Sequence, residues 1–403
     1  MKKIFNMSEN INILTYSSLY PNKTNPRHGI FVEQRLRHLV NSGKIRSIVV
    51  SPVPWFPLAA LFSSRYAEYK KIPEQDTRYG IDILYPRFPN IPFIGMSIAP
   101  FIMALFTYRQ ISGLLKSGYN FDVIDAHYFY PDGVASVIIG KLTKKPVVIT
   151  ARGSDINLIS RYLIPGNLIR WAAGKTKKII SVSQALKNSI ERLGVNGDKV
   201  KVLRNGVDTE LFSFLQDREK IRERLGISGS VMLSVGNLVP LKGHDLAIKT
   251  LTILTEFSLY IIGDGPELNN LKKLSRMLDV EKRVHFIKPV SQEALRDYYG
   301  AADVLVLASS REGWANVLLE SMACGTPVVA TNVGGNSEIV RSKTAGVIIS
   351  QRTPEDIIAG INEVMSNKCS REETRVYAED FSWDETTAGQ IEIFSYIKQE
   401  SSR

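Results

Sequence analysis

The sequence predicts an α/β protein of two doubly wound domains, each built on a parallel sheet. Three observations point there. The chain has 403 residues, too many for one ordinary core. Short β-branched runs alternate with helix-length segments, and the runs are continuously apolar, as strands buried on both faces require. The pattern also restarts after the charged helical stretch "DREKIRERLG" at 217–226.

In the first half the expected strands are 11–18, 45–52, 81–88, 121–128, 145–153, 177–183 and 199–206. In the second they are 230–237, 257–265, 283–289, 302–310, 327–335 and 345–351. The helix "FVEQRLRHLVNSG" closes on Gly43, a left-handed stop. The domains expected are 1–212 and 213–380, with 381–403 a helix packing back toward the first. Ligands of such sheets sit beyond the carboxyl ends of the strands, so the site is expected in a cleft between the two.

Composition narrows the class. Apolar residues make up 44% and charged residues 23%, ordinary for a soluble chain. Cys324 and Cys369 are the only cysteines, which excludes a disulfide scaffold and fits a reducing compartment. "MKKIFNMSENINIL" turns polar before any leader core forms, so a cytoplasmic protein is expected. The stretch 91–108 carries Pro92 and Pro100, and its apolar runs fall short of a span. It reads as a buried or surface-docking element, with core burial preferred.

The net charge of +11 is uneven: residues 1–212 carry 29 Lys+Arg against 14 Asp+Glu, and residues 213–403 carry 22 against 26. An anionic partner for the first half follows. No zinc-finger spacing, RNP-type motif or long basic run favours nucleic acid. An anionic membrane surface or a lipid-phosphate acceptor is the better reading, with a merely solubilising basic face as the alternative.

The loops after strands carry the chemistry. "SVGNLVPLKGHDLAIKTL" sets Lys242 and Gly243 just before a helix, a place suited to a diphosphate. "IIGDGPELNNL" has Gly263 and Gly265 but Leu268 where a dinucleotide fingerprint needs glycine, so a nicotinamide or flavin is not favoured. "VGGNSEIV" places Gly334 and Gly335 before a helix, for close backbone approach to a ligand or for a plain turn. In "SSREGWANVLLESMACGTPVVAT", Glu312 lies in a loop and Glu320 about two turns into a helix starting near Trp314, with Gly325 closing it. Ionised carboxylates accept hydrogen bonds without donating, which suits pairs of sugar hydroxyls.

"EGWANVLLE", "VGNLVPLKG", "GDGPEL" and "TNVGG…E" together resemble the E-x7-E and associated elements of the family-four retaining glycosyltransferases. "YPNKTNPRHGIFVEQ", "DVIDAHYFYPDG", "TARGSDIN", "SVSQ" and "NGVD" resemble that family's N-terminal landmarks. The resemblance runs from about residue 12 to residue 340.

It implies a GT-B fold, two Rossmann-like domains facing across a cleft, and a metal-independent, retaining hexosyl transfer. The donor would be a UDP- or GDP-linked sugar, with no further cofactor. The acceptor would be a glycan or a lipid-linked molecule in cell-surface polysaccharide biosynthesis, on a protein that is peripheral on the inner face of the membrane. Glu320 would bind the donor ribose, Glu312 the transferred sugar and Lys242 the diphosphate. Gly29, Asn237, Gly265, Phe286, Gly313, Asn316, Val317, Gly334 and Gly335 would complete the donor site, with "RVHFIKPV" near the base. His127 matches the histidine near the reacting centre, and Arg152, Asp155 and Arg204 would line the acceptor side. His28, His38, His244 and His285 stay unassigned.

One departure stands out: Asn237 occupies a position where the family commonly carries arginine, and Arg204 or Arg311 would have to compensate. No D-x-D motif or His/Cys cluster marks a metal. A GT-B nucleotide-sugar epimerase and a non-catalytic nucleotide-sugar-binding subunit are the alternatives; epimerised sugar from donor alone would mark the first, and donor binding without transfer the second.

Overall fold

The computed structural model describes residues 10–55, 68–89, 95–214, 216–367 and 369–401. They form two compact units: one runs to Arg204 and resumes at Asp384, and the other spans Asn205–Trp383.

The first unit holds β1 (Ile11–Tyr16), β2 (Ile45–Val50), β3 (Val53–Trp55), β4 (Gln75–Arg78), β5 (Ile81–Leu84), β6 (Arg87–Pro89), β7 (Val123–His127), β8 (Val147–Ala151), β9 (Lys178–Ser181) and β10 (Val200–Val202). Eight of them form one sheet in the order β10-β9-β8-β7-β1-β2-β5-β4, and β3 pairs with β6 in a separate two-stranded ribbon. Every residue of β7 and β8 is buried, Asp125 and His127 of β7 included, as strands covered on both faces require. The expected strand at 81–88 is in fact two, β5 and β6, that pair in different sheets. The sheet is not wholly parallel, because β4 adds an antiparallel edge to β5. Its sequence, "QDTR", is polar and half open to solvent, and so gave no strand signal.

The stretch expected to be buried near 91–108 departs from that reading. Residues 91–94 lie outside the described segment, and from Gly95 to Lys116 the chain is one helix. It is long and apolar enough by length and composition to cross a membrane, and only 28% of its 18-residue apolar stretch is buried. Pro100 sits inside it. Proline has no N–H for the carbonyl four residues earlier, and the Tyr130 hydroxyl donates to that Met96 carbonyl instead.

The second unit contains β11 (Ser230–Val235), β12 (Phe257–Ile262), β13 (Val284–Ile287), β14 (Val304–Leu307), β15 (Val328–Thr331) and β16 (Gly346–Ile349). The order is β13-β12-β11-β14-β15-β16, and every pairing is parallel. The order reverses between β11 and β14, which pair through Met232–Val304 and Leu233–Leu305. A doubly wound sheet opens its crevice at such a reversal. In the first unit the reversal lies between β1 and β7.

Candidate active site

The loops that leave β11 and β14 meet at the reversal of the second sheet. After β11 the chain makes a tight turn, Pro240–Lys242, and then enters the helix His244–Thr250. After β14 it runs through Glu312 into the helix Asn316–Ala323. Lys242 Nζ lies 2.6 Å from Glu312 Oε1, and Ser309 Oγ donates to the same oxygen at 2.7 Å. The acid is only 12% exposed and the lysine 21%, so the pair is largely sheltered.

Backbone contacts fix this geometry. The Ser310 N–H donates to the Leu241 carbonyl at 2.8 Å, sewing one loop to the other. Arg352 donates to the Ala308 carbonyl through Nε at 2.7 Å and to the Pro240 carbonyl through Nη2 at 3.1 Å. Thr331 Oγ1 donates to the Ser309 carbonyl at 2.6 Å.

The third wall is the loop after β15. Gly334 has φ +55°, and a Cβ there would lie 2.0 Å from the Glu312 carbonyl oxygen. Only glycine fits. The Gly335 N–H donates to the Gly313 carbonyl at 3.2 Å. Lys242, Glu312, Gly313, Gly334 and Gly335 are thus brought together.

Glu320 is placed differently from the sequence reading. The helix starts at Asn316 rather than near Trp314, so Glu320 is little more than one turn inside it. The hydroxyl of the fully buried Tyr299 donates to Glu320 Oε2 at 2.8 Å. Desolvation dominates and pushes the Glu320 carboxyl up to about 7, while the Tyr299 bond pulls the other way. Asn316 Oδ1 accepts from Asn205 Nδ2 at 3.1 Å, and Val317 beside it is half-buried. Gly325, with φ +78°, ends the element as expected.

The remaining donor candidates line neighbouring strand exits. Asn237 follows β11, and its carbonyl accepts from His244 Nε2 at 3.3 Å. His244 Nδ1 lies 2.9 Å from Ser234 Oγ, and burial lowers its pKa to about 4, so it is a neutral brace for this loop. The Leu238 N–H donates to the Asp264 carbonyl at 2.9 Å, which ties the Gly265 loop to the Asn237 loop. Phe286 lies on β13, half-buried, with the Lys272 ammonium 5.9 Å from its ring. Arg311 precedes Glu312 in the same loop and is half-buried.

Of the first-unit candidates, Gly29, His127 and Asp155 are buried, Arg152 is half-buried and Arg204 is exposed. His127 ends β7 and is 1% exposed. Its Nε2 lies 3.1 Å from Asp125 Oδ2, and its Nδ1 lies 2.7 Å from Arg152 Nη2. A guanidinium only donates, so Nδ1 is the acceptor and Nε2 carries the proton toward Asp125. Burial lowers the His127 pKa, with Asp125 opposing. The ring of His127 is thus held between Asp125 and Arg152. Arg152 also stacks over Phe31 at 5.0 Å.

Asp155 is likewise fully buried, and accepts backbone N–H bonds from Phe129 at 2.8 Å, Gly153 at 2.7 Å and Arg152 at 3.2 Å. It organises its loop from within. The Arg204 carbonyl accepts from the Thr386 hydroxyl, and its side chain is exposed. Gly29, with φ +69°, lies so close to the Leu19 carbonyl that a Cβ would meet it at 2.2 Å.

Sequence reasoning missed Asp132. It is fully buried and accepts from the Ser18 N–H at 2.5 Å and Ser18 Oγ at 2.9 Å, which pins the loop after β1. Tyr299 and Ser309, which position the two glutamates, and the Arg352 bridge were missed too. The one available signal for Asp132 was its place in "YPDG", shortly after His127.

Two sequence families match adjoining parts of the chain: Glycosyltransferase Family 4 over residues 60–211, and Glycosyl transferases group 1 over residues 217–381. The chain belongs to the family-four glycosyltransferases and is itself a glycosyltransferase of GT-B fold. It is similar to the "Putative teichuronic acid biosynthesis glycosyltransferase TuaC" of Bacillus subtilis (strain 168), 28% identical over 338 residues, covering 81% of this chain and 82% of that one. Among solved structures it resembles sucrose-phosphate synthase from Thermosynechococcus elongatus, with TM-score 0.78, 16% identity, and coverage of 96% and 99%. It also resembles HepE of Anabaena in complex with UDP, with TM-score 0.71, 19% identity, and coverage of 96% and 100%.

Proposed function

We infer that this glycosyltransferase moves a sugar from a UDP- or GDP-linked donor to a hydroxyl of a glycan or lipid-linked acceptor, with retained anomeric configuration and no metal, in cell-surface polysaccharide biosynthesis. The Lys242–Glu312 pair at the reversal of the second sheet, 2.6 Å apart against the Gly334 backbone, carries the reading. A cation and an anion held together there match the two ends of a glycosyl phosphate. The ammonium attracts the diphosphate, and the carboxylate accepts from the sugar hydroxyls. The UDP complex of HepE and the teichuronic acid assignment of TuaC are consistent with such chemistry.

In this mechanism the bond between the anomeric carbon and the phosphate oxygen breaks, and its electron pair leaves with the diphosphate. The acceptor oxygen bonds to the anomeric carbon on the same face, and its proton passes to the departing phosphate oxygen. Lys242 stabilises the charge that grows on that oxygen. Glu312 releases Lys242 as the phosphates arrive and turns to the sugar. Tyr299 holds Glu320 Oε2, so Oε1 is presented to the ribose.

Thermal-shift titration with UDP, GDP and their sugars tests the donor. At one hundred times Kd a ligand adds about 2.7 kcal/mol of stability, an easily read rise in Tm. Lys242→Met is expected to weaken the preferred nucleotide at least tenfold and to lower kcat further in a radiolabel transfer assay. Absence of a shift with every nucleotide tried would overturn the reading. Epimerised sugar from donor alone would replace it.

A further inference from the structure

We propose that Tyr128 determines acceptor specificity: a sugar ring of the acceptor lies on its aromatic face, with the Ser154 hydroxyl at the edge. The inference deepens the proposed function and rests on its reading of a sugar-bearing acceptor.

Tyr128 stands where the first sheet opens. The strand order reverses between β1 and β7, and Tyr128 is the first residue beyond β7. Ser17 Oγ donates to the His127 carbonyl at 3.3 Å and ties the exit of β1 to that of β7. On the other side the Tyr128 N–H donates to the Thr150 carbonyl of β8 at 2.9 Å. A doubly wound sheet takes its ligands at such a place.

The backbone there is unusual. Tyr128 has φ +82° and ψ 121°, a region that a bulky L-residue avoids because its Cβ crowds the main chain. Neighbouring groups hold it in place. The Gly133 N–H donates to the Tyr128 carbonyl at 2.9 Å, and the Phe129 N–H donates to buried Asp155 at 2.8 Å. Glycine would follow the same path without the crowding. A strained aromatic at a strand exit therefore points to a use for its side chain.

Core packing does not supply that use. His127 is 1% exposed, Phe129 0% and Tyr130 3%, whereas Tyr128 among them is only half-buried. Its hydroxyl lies 2.6 Å from Ser154 Oγ, and Ser154 is itself exposed. The ring is tethered at its tip and partly open to solvent.

That arrangement fits a pyranose. An aromatic face is electron-rich and attracts the C–H groups on the flatter side of a sugar. Tyrosine offers this area with few rotatable bonds, and the Ser154 contact holds them. A serine hydroxyl both donates and accepts, so Ser154 keeps capacity for a sugar hydroxyl beside the ring. A nucleobase would stack on the same face, and the experiment separates the two.

The test is transfer by the full-length protein from UDP-glucose and GDP-mannose to methyl glycosides of glucose, galactose, mannose and N-acetylglucosamine, read by mass spectrometry. Wild type is expected to use at least one glycoside saturably. Y128G is expected to raise the KM for that glycoside about tenfold, as loss of a well-placed aromatic contact does. Its Tm should stay within a few degrees of wild type, and its UDP- or GDP-induced thermal shift should be unchanged. Y128L keeps bulk without an aromatic face and is expected to fail as Y128G does. Y128F keeps the ring and is expected to stay within about threefold of wild type, the share of one neutral hydrogen bond.

An unchanged glycoside KM in Y128G and Y128L overturns the proposal. So does a Y128F as impaired as Y128G, which would assign the effect to the hydroxyl. Loss of the nucleotide shift in Y128G and Y128L overturns it too, because the ring would then lie against the base. A wild type that binds nucleotide but transfers to none of the glycosides sinks this inference alone. One that neither shifts with nucleotide nor transfers sinks the proposed function, and this inference with it.

Discussion

Lys242 and Glu312 satisfy each other at 2.6 Å, so under the proposed mechanism each exchanges a protein partner for the donor before the reaction starts. Among the described residues Glu320 has no such cation, and burial lifts its pKa to about 7. Two consequences follow from the sign of that shift. Between the ordinary value of 4.5 and about 7 the folded chain keeps a proton that the unfolded chain has lost, so this residue's contribution makes stability fall as pH rises through that window. In the proposed function the effect on donor binding runs the other way, because an ionised carboxylate is the stronger acceptor for ribose hydroxyls. The donor KM is therefore expected to rise as pH falls from 8 to 6. Glu320→Gln should raise KM about tenfold at pH 8, the effect of a charged hydrogen bond worth roughly 1.5 kcal/mol, and flatten the profile. Steady-state kinetics across that range decides it; a sloping KM profile in the glutamine variant would assign the titration elsewhere.

At the scale of elements, the site depends on loops held by their neighbours. Arg352 grips the Ala308 and Pro240 carbonyls at 2.7 and 3.1 Å, and so sets the spacing between the loops that carry Glu312 and Lys242. A lysine lacks the planar fork that reaches two carbonyls at fixed separation. Arg352→Lys is expected to lower kcat/KM about tenfold, with kcat falling more than KM rises, and Tm moving by only a few degrees. Equal kinetics in wild type and variant would show the bridge to be incidental.

The same elements show what the sequence made legible. All six strands of the second sheet announce themselves as apolar runs, and their exits bring Lys242, Glu312 and Gly334 into view. The polar edge strand β4 does not, because the pattern it lacks is the pattern being read. Partnerships across distance are equally silent. Tyr299 lies 21 positions from Glu320, and Ser18 lies 114 from Asp132. Nothing in the local sequence of His127 tells that Asp125 and Arg152 occupy both sides of its ring.

At the scale of the whole molecule, the last helix, Asp384–Ser401, belongs to the first unit. Arg35 is 1% exposed; its Nε donates to Gln390 Oε1 at 2.9 Å and its Nη1 to the Leu203 carbonyl at 3.2 Å. Phe394 from the same helix is fully buried in the core with Ile13, Leu36 and Val49. Gln390→Ala removes an acceptor from a buried guanidinium and is expected to cost about 1–3 kcal/mol. Hydrogen exchange should register the loss in β1 and the helix Ile30–Asn41, and leave β11–β16 protected. Even destabilisation of both sheets would show that the chain unfolds as one cooperative body.

The route of the chain has a further use. It leaves the first unit after Arg204 and re-enters it at Asp384. Within the second unit the outgoing and returning backbones lie side by side, since the Val207 N–H donates to the Phe381 carbonyl at 2.9 Å. A Cβ on Gly206 would strike Ser382 at 2.6 Å. The piece 205–383 is thus a parenthesis whose opening and closing marks touch. A graft of that piece from a relative needs only two adjacent joints, and under the proposed function it is expected to carry donor choice with it as an exchangeable cassette.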